Sequence, residues 1–147
     1  MIVRSKAPLR LGLAGGGTDV SPYPEKYIGY VLNTTISLYA YCTIEENNSK
    51  KISIMSLDLK KSLEYDQGID QFPIDNNLDL IKQCLNYFIN NGYLSKYKSF
   101  TISTFCDVPP GTGLGSSSTL VVSIVNCINK WLNLNLDEYQ IAKISYH

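Results

Sequence analysis

A run of glycines and serines organises this 147-residue sequence. It reads Pro109-Pro110-Gly111-Thr112-Gly113-Leu114-Gly115-Ser116-Ser117-Ser118. Residues 100–106 before the run alternate between apolar and polar side chains, which predicts a strand. The apolar residues after it recur at helical spacing: Leu120, Ile124, Ile128 and Trp131. A glycine-rich turn between a strand and a helix presents main-chain N–H groups and a partial positive charge, so it can hold phosphate.

Three interpretations other than this phosphate loop are possible for the run. A Walker A loop ends in Gly-Lys-Ser/Thr, and the absence of lysine between Lys98 and Lys130 excludes it. A dinucleotide-binding turn has the spacing G-x-G-x-x-G and leads to a second strand, whereas the spacing here is G-x-G-x-G and a further helix follows. A plain turn with a serine capping the helix is the third alternative. The residues alone leave the phosphate cradle and the capping turn open.

A second glycine-rich stretch lies near the N-terminus. It reads Pro8-Leu9-Arg10-Leu11-Gly12-Leu13-Ala14-Gly15-Gly16-Gly17-Thr18-Asp19. Glycines here would bring main chain close to a ligand, and the carboxylate of Asp19 could accept hydrogen bonds from two sugar hydroxyls. The alternative is a flexible turn in which Asp19 is a turn residue and Arg10 forms a surface ion pair.

The rest of the chain predicts a sheet with helices packed on it. Alternation over residues 31–44, 51–56 and 62–65 predicts three strands, which we expect to pair as an antiparallel meander. Residues 1–13 are also strand-like, and we expect Pro8 to break that strand.

An apolar stripe at helical spacing predicts a helix on the sheet: Leu78, Ile81, Leu85 and Phe88. Asn77 and Asp79 are the residue types that open a helix, and Gly92 is the type that closes one.

A capping box predicts the last helix. Asp137 and Gln140 have the spacing in which each side chain bonds the main chain of the other, so we expect a helix from Glu138. No terminating residue follows before His147. We therefore expect the chain to be a piece of a longer protein.

The composition restricts the partners. Thirteen basic and thirteen acidic residues cancel, so no overall field favours nucleic acid or an anionic membrane. We expect neither a secretory leader nor a membrane span, because the sequence shows no signal-peptide pattern and no apolar run long enough to span a bilayer. The four cysteines show no C-x-x-C spacing, and we expect them to be reduced in a cytoplasmic protein of one domain.

Both glycine-rich stretches resemble motifs of the GHMP kinases, the superfamily named for galactokinase, homoserine kinase, mevalonate kinase and phosphomevalonate kinase. The resemblance implies ATP and Mg²⁺ as cofactors, with Ser116 as metal ligand and catalytic residue beside a catalytic Arg10. It implies these nucleotide-binding residues: Pro110, Gly111, Gly113, Leu114, Gly115, Ser116 and Ser117. It implies these substrate-binding residues: Arg10, Gly15, Gly16, Gly17, Thr18 and Asp19.

Galactokinases carry Glu-His where this chain has Gly16-Gly17. Within the superfamily, three stretches, residues 15–19, 29–39 and 118–122, most resemble kinases that phosphorylate the anomeric hydroxyl of D-glycero-D-manno-heptose 7-phosphate. The product of such kinases is a 1,7-bisphosphate for surface polysaccharide. A small sugar phosphate is then the implied partner, its 7-phosphate held by Lys6, Arg4 or residues beyond His147. Another sugar 1-kinase, such as a fucokinase, and a catalytically incomplete nucleotide-binding fragment are the alternatives.

The resemblance also implies the fold. It is the α+β GHMP N-terminal domain, similar to the second domain of ribosomal protein S5, with a mixed sheet and helices packed on one side. Residues 1–147 would form this ATP-binding domain in truncated form, without the C-terminal domain. The aspartate facing the acceptor hydroxyl, the acidic Mg²⁺ ligand and the third glycine-rich motif are expected beyond His147.

Overall fold

The computed structural model describes residues 1–95 and 98–146, which form a five-stranded mixed sheet with helices. The strands are β1 (Ile2–Ala14), β2 (Leu32–Glu46), β3 (Lys51–Ser56), β4 (Lys61–Asp66) and β5 (Phe100–Cys106). The helices are α1 (Tyr23–Lys26), α2 (Asp79–Asn90), α3 (Ser116–Leu132) and α4 (Glu138–Tyr146). The expected α+β class is confirmed. His147, the expected end of the last helix, lies outside the described residues.

The strand order is β1-β2-β5-β3-β4. Strand β5 pairs antiparallel with β2 and parallel with β3, while β3 and β4 form an antiparallel hairpin. The predicted meander of β2, β3 and β4 is therefore wrong, because β5 enters between β2 and β3. Alternation of side chains gives each strand its buried face but does not determine which strand lies beside it.

The strand expected to break at Pro8 continues through it to Ala14. Strand β1 lies at the edge of the sheet, so a residue without an N–H group is tolerated there. The pairing with β2 shifts between Pro8 and Arg10, where Pro8 faces Tyr39 and Arg10 faces Thr35. Pro8 thus precedes an irregularity in the ladder, and the strand goes on.

The core lies between the helices and one face of the sheet. Ala40, Cys42 and Ile44 of β2 are buried on that face, and α3 packs against them with Ile124 and Ile128. Tyr39, Tyr41 and Thr43 alternate with them and are half-buried. The sheet therefore carries its helices on one side, as expected.

The start of α2 differs from the prediction. Leu78 precedes the helix in a left-handed conformation, and no side chain caps the first turn. Instead the carboxylate of Asp79 accepts hydrogen bonds from the N–H groups of Asp75, Asn76 and Asn77, at 3.2, 2.8 and 3.2 Å. Asp79 thus holds the loop that precedes α2. The side chain of Asn77 does not cap the helix.

The buried ammonium of Lys82 forms ion pairs with Asp75 and Asp79, the latter at 2.8 Å. The hydrogen bond from Lys82 is the largest cause that lowers the pKa of Asp79, from its ordinary 3.8 to about 2. This ionic group joins α2 to the loop before it.

The predicted capping box of α4 is confirmed. The Gln140 N–H donates to Oδ1 of Asp137 at 2.8 Å, and the Asp137 N–H donates to Oε1 of Gln140 at 2.9 Å. Gly92 follows α2 with a φ of +72°, so its predicted place after the helix end is also confirmed.

The four cysteines are free and buried. Burial raises the pKa of the Cys84 thiol to about 12, which keeps it protonated at neutral pH. None of the helices in the described ranges is long and apolar enough to cross a membrane.

Candidate functional site

The fold brings the two glycine-rich stretches together. The N–H group of Arg10, on β1, donates a hydrogen bond of 3.2 Å to the carbonyl oxygen of Leu114. The Arg10 side chain also covers Gly115, because a Cβ atom on that glycine would lie 3.2 Å from Nε and 3.3 Å from Cγ. Segments about a hundred residues apart in sequence therefore meet at the start of α3.

The loop before α3 alternates in backbone conformation. Gly111, Gly113 and Gly115 have φ values of +84°, +74° and +71°, whereas Thr112 and Leu114 between them lie outside the left-handed region. Glycine adopts this region without the penalty that a Cβ atom brings. Alternation of this kind turns main-chain N–H groups toward one side and forms an anion-binding concavity.

The N-terminus of α3 is uncapped. Gly115 precedes the helix, and no side chain in the described chain bonds its first turn. The first bond of the helix runs from the N–H of Thr119 to the carbonyl of Gly115 at 2.9 Å, so residues 116–118 direct their N–H groups out of the helix end. The capping-turn alternative required a serine hydroxyl on these groups, and the structure has none there.

Positive charge accumulates at this helix end. The first turn of α3 carries no acidic residue, and within residues 1–95 and 98–146 no carboxylate pairs with Arg10. A guanidinium beside the positive end of a helix dipole is stabilised by an anion. The expectation that Arg10 makes a surface ion pair therefore has no support in these contacts.

The N-terminal glycine turn is fixed to a second loop. A Cβ atom on Gly15 would lie 1.8 Å from the carbonyl oxygen of Tyr30, and one on Gly29 would lie 2.0 Å from the carbonyl oxygen of Thr18. The Thr18 hydroxyl lies 2.7 Å from the carbonyl oxygen of Gly15 and 3.1 Å from that of Tyr30, both of which can accept its hydrogen. The turn is packed against residues 29–30 and is not free.

Asp19 lies exposed at the end of this turn. Its Oδ1 accepts a hydrogen bond of 3.2 Å from the N–H of Gly17. A Cβ atom on Gly16 or Gly17 would meet no atom within 4 Å, so the space beside them is open. No contact of the described residues joins Asp19 to the phosphate loop, in contrast to Arg10.

Roles for three residues beside the site, Gly29, Tyr30 and Asp107, were not predicted from the sequence. Gly29 and Tyr30 hold the glycine turn through main-chain atoms, which leave no side-chain signature in sequence. Asp107 follows β5 directly, and its carboxylate accepts a hydrogen bond of 2.7 Å from the N–H of Tyr39. An acid directly after a strand is visible in the sequence, but its bond to Tyr39 depends on the pairing of β2 with β5.

A groove of about 610 Å³ lies elsewhere, between α2, α3 and α4. Its walls include Leu80, Phe88 and Val121, and none of the predicted site residues lines it. Phosphate requires N–H donors and cations, so we assign the ligand chemistry to the loops and not to this groove.

Comparison with known proteins finds a matching family and similar kinases. Residues 79–147 match the family described as the GHMP kinases N terminal domain. The chain is 46% identical, over 98% of its length, to a D-glycero-alpha-D-manno-heptose 7-phosphate kinase of Campylobacter jejuni, and it covers 42% of that protein. It thus spans less than half of this relative.

Solved structures that are similar to this chain are also kinases. A D-glycero-D-manno-heptose 1-phosphate kinase from Bacteriodes thetaiotaomicron superposes with a TM-score of 0.91 at 49% identity, over 99% of this chain and 47% of the other. Galactokinase of Lactococcus lactis, complexed with galactose, superposes with a TM-score of 0.78 at 20% identity over 98% of this chain and 36% of the other, a likeness of fold alone. The family match covers residues 79–147, and the sequence identity and the same mixed sheet extend over nearly the whole chain, so this chain is similar to the GHMP kinases over nearly all of its length.

Proposed function

We propose that residues 1–147 belong to the N-terminal, ATP-binding domain of a sugar kinase. The reaction is transfer of the γ-phosphoryl group of ATP to the anomeric hydroxyl of D-glycero-D-manno-heptose 7-phosphate. The observation that carries this proposal is the contact of Arg10 with Leu114 and Gly115. Among residues 1–95 and 98–146, this contact joins a cation that no carboxylate pairs, a helix end that no side chain caps and a loop of alternating glycines.

The nucleotide side is assigned to the loop before α3. Gly111, Gly113 and Gly115 shape the concavity, while the N–H groups at the start of α3 are donors for phosphate oxygens. Pro110, Leu114, Ser116 and Ser117 complete the set of nucleotide-binding residues. These features fit the triphosphate of ATP, which GHMP kinases use as phosphate donor.

Magnesium is assigned to the Ser116 hydroxyl. Mg²⁺ retains several waters and takes its remaining ligands from phosphates and a few protein oxygens, so one hydroxyl is a fitting contribution. In the part of the chain that the structure describes, no group of three His, Cys, Asp or Glu side chains could hold a metal ion. When bound, the ion neutralises charge on the phosphates.

The sugar side is assigned to Arg10 and the glycine turn. Arg10 is placed to stabilise negative charge on the transferred group, because it lies against the helix end that would face the phosphates. Asp19 accepts hydrogen bonds from sugar hydroxyls, and Gly16 and Gly17 leave room for the sugar. Thr18 and Gly15 act by fixing the turn to Tyr30.

The identity of the sugar is supported by the two most similar relatives named above. Both are heptose kinases, although one name specifies the 7-phosphate and the other the 1-phosphate. A bifunctional fucokinase of Arabidopsis thaliana is 28% identical, which keeps a fucose-type substrate as the second candidate. Free, buried cysteines favour a cytoplasmic location.

Calorimetry tests the assignment of the nucleotide side. We expect Mg-ATP to bind this chain and Ser116→Ala to weaken that binding by about tenfold, the equivalent of one charge-assisted contact. Ser118→Ala is the matched control, because the Ser118 side chain is exposed and, among the described residues, caps no group of the first helical turn; this variant should bind Mg-ATP as the unchanged chain does. Absence of Mg-ATP binding would overturn the proposal. Equal losses for the two variants would overturn the role of Ser116.

The same titration with sugars tests the substrate. Heptose 7-phosphate should bind the unchanged chain and Ser116→Ala equally, while Asp19→Asn should weaken the sugar and leave Mg-ATP unaffected. Tighter binding of fucose or galactose than of heptose 7-phosphate would replace the heptose assignment.

A further inference from the structure

We propose that Asp107 is a positioning residue of the phosphate loop, which it holds to β2 at the point where the chain leaves the sheet. The inference rests on the proposed function, since it concerns the loop assigned to ATP. Its basis is a pair of hydrogen bonds between Asp107 and Tyr39.

The first step is the geometry of this pair. Strands β2 and β5 are antiparallel, and their last matched residues at this end are Ala40 and Cys106. One residue further, the N–H of Asp107 donates to the carbonyl of Tyr39 at 3.0 Å, as in a regular ladder. The returning bond, from the N–H of Tyr39, is 2.7 Å long and ends on Oδ2 of Asp107.

The second step is the effect of having a side-chain carboxylate in the place of a main-chain carbonyl. In a regular ladder the N–H of Tyr39 would bond the main-chain carbonyl of residue 107. The carboxylate takes that position, so the main chain of Asp107 is released from the sheet while its attachment to β2 remains. A charged acceptor also makes this bond shorter and stronger than a neutral one.

Neighbouring groups support the carboxylate. The Tyr41 hydroxyl lies 3.4 Å from the same Oδ2, and burial together with Asp107 raises the pKa of Tyr41, so the phenol remains a donor. The ammonium of Lys6 lies 4.5 Å from the centre of the Tyr39 ring. Asp107 thus belongs to a small cluster on the face of the sheet that the helices leave uncovered.

The third step concerns the loop as a whole. The N-terminal end of the loop is held to β2 by Asp107. Its C-terminal end is held to β1 by the hydrogen bond from the N–H of Arg10 to the carbonyl of Leu114. Between these anchors, residues 108–113 include Gly111 and Gly113 in left-handed conformations, which are costly to order unless the ends are fixed. A loop held in its binding conformation loses less entropy when phosphate arrives.

The experiment compares three variants of this chain. Asp107→Ala removes the acceptor, and Asp107→Asn keeps an oxygen for the Tyr39 N–H without the charge. Asn47→Ala is the matched control, since Asn47 makes a side-chain bond of 3.1 Å to the main chain of Ser49 at the opposite end of β2. The measurements are Mg-ATP and heptose 7-phosphate affinity by calorimetry, and ¹⁵N relaxation of the amides of residues 111–117 without ligand.

We expect Asp107→Ala to weaken Mg-ATP binding about tenfold, to leave sugar affinity within about twofold and to increase the mobility of the loop amides. Asp107→Asn should restore most of the affinity, and Asn47→Ala should change neither readout. Loop amides as rigid in Asp107→Ala as in the unchanged chain would overturn the inference, whether or not nucleotide binds. Failure of the unchanged chain to bind Mg-ATP would instead overturn the proposed function.

Discussion

The side chain of Arg10 lies against Gly115, so that a Cβ atom on the glycine would be 3.2 Å from Arg10 Nε and 3.3 Å from its Cγ. This glycine is also the residue from which α3 begins. The Arg10 side chain, the glycine loop and the start of α3 therefore contact one another at Gly115. A methyl group on Gly115 would disturb all three.

Gly115→Ala is expected to lower the free energy of unfolding by about 1–2 kcal/mol, because alanine at a φ of +71° is strained and the arginine must move by a few tenths of an ångström. The affinity for Mg-ATP should fall by more than this loss of stability explains. Urea unfolding measures the free energy of unfolding, and calorimetry measures the affinity. Gly12→Ala, where a Cβ atom meets nothing within 4 Å, is the control and should affect neither strongly.

Adjacent glycines of the N-terminal turn should respond differently. Gly15→Ala would place a Cβ atom 1.8 Å from the main-chain oxygen of Tyr30, which cannot rotate away, and the φ of Gly15 is +74°. We expect a loss of at least about 2 kcal/mol in the free energy of unfolding. Gly16→Ala, in open space, should stay within about 0.5 kcal/mol. Equal losses in urea unfolding would contradict the packing of this turn.

The ionic group at α2 should make stability depend on pH. The pKa of Asp79 is about 2 in the folded chain and 3.8 ordinarily, so its ionised form stabilises the fold above about pH 4. As the pH falls from 4 toward 2, this contribution should disappear. Urea unfolding between pH 3 and pH 6 should show a shallower decline for Asp79→Asn than for the unchanged chain. Identical pH profiles would show that Asp79 does not hold the loop in solution.

The chain should bind Mg-ATP without turning it over. The described residues provide Arg10 and the Ser116 hydroxyl, but no group of three His, Cys, Asp or Glu side chains that could hold a metal ion, and the chain covers 42% of the Campylobacter relative. A coupled assay for ADP release with heptose 7-phosphate should give no rate above that of the uncatalysed mixture. Turnover that Arg10→Ala abolishes would contradict this and would place the whole catalytic set within these residues.

Much of the fold was predictable because its signals are local. The capping box of Asp137 and Gln140 fixed the start of α4 from two side chains three residues apart. Period-two alternation located the strands, since burial on one face acts on each strand separately. The same independence explains the failed meander: the insertion of β5 beside β3 depends on packing across the whole sheet, which alternation does not encode.

The candidate site was predictable in its residue types and less so in its contacts. Three glycines at alternate positions indicated the phosphate loop, because few other patterns permit such main-chain geometry. The partners of the glycine turn are carbonyl groups of Gly15 and Tyr30, which every sequence possesses at every position. Asp107 was overlooked because its role depends on the register of β2 and β5, which only the folded sheet defines.

The position of β5 gives the two halves of the site different local stabilities. Strand β5 is hydrogen-bonded on both sides, whereas residues 11–14 of β1 pair with residues 32–34 of β2, beyond the part of β2 that β5 covers. Amides in a doubly paired central strand exchange with solvent mainly through global unfolding, while a ribbon with two open edges can open by itself. The glycine turn grows from that ribbon and the phosphate loop from β5. We therefore expect the glycine turn to open locally while the loop before α3 stays folded.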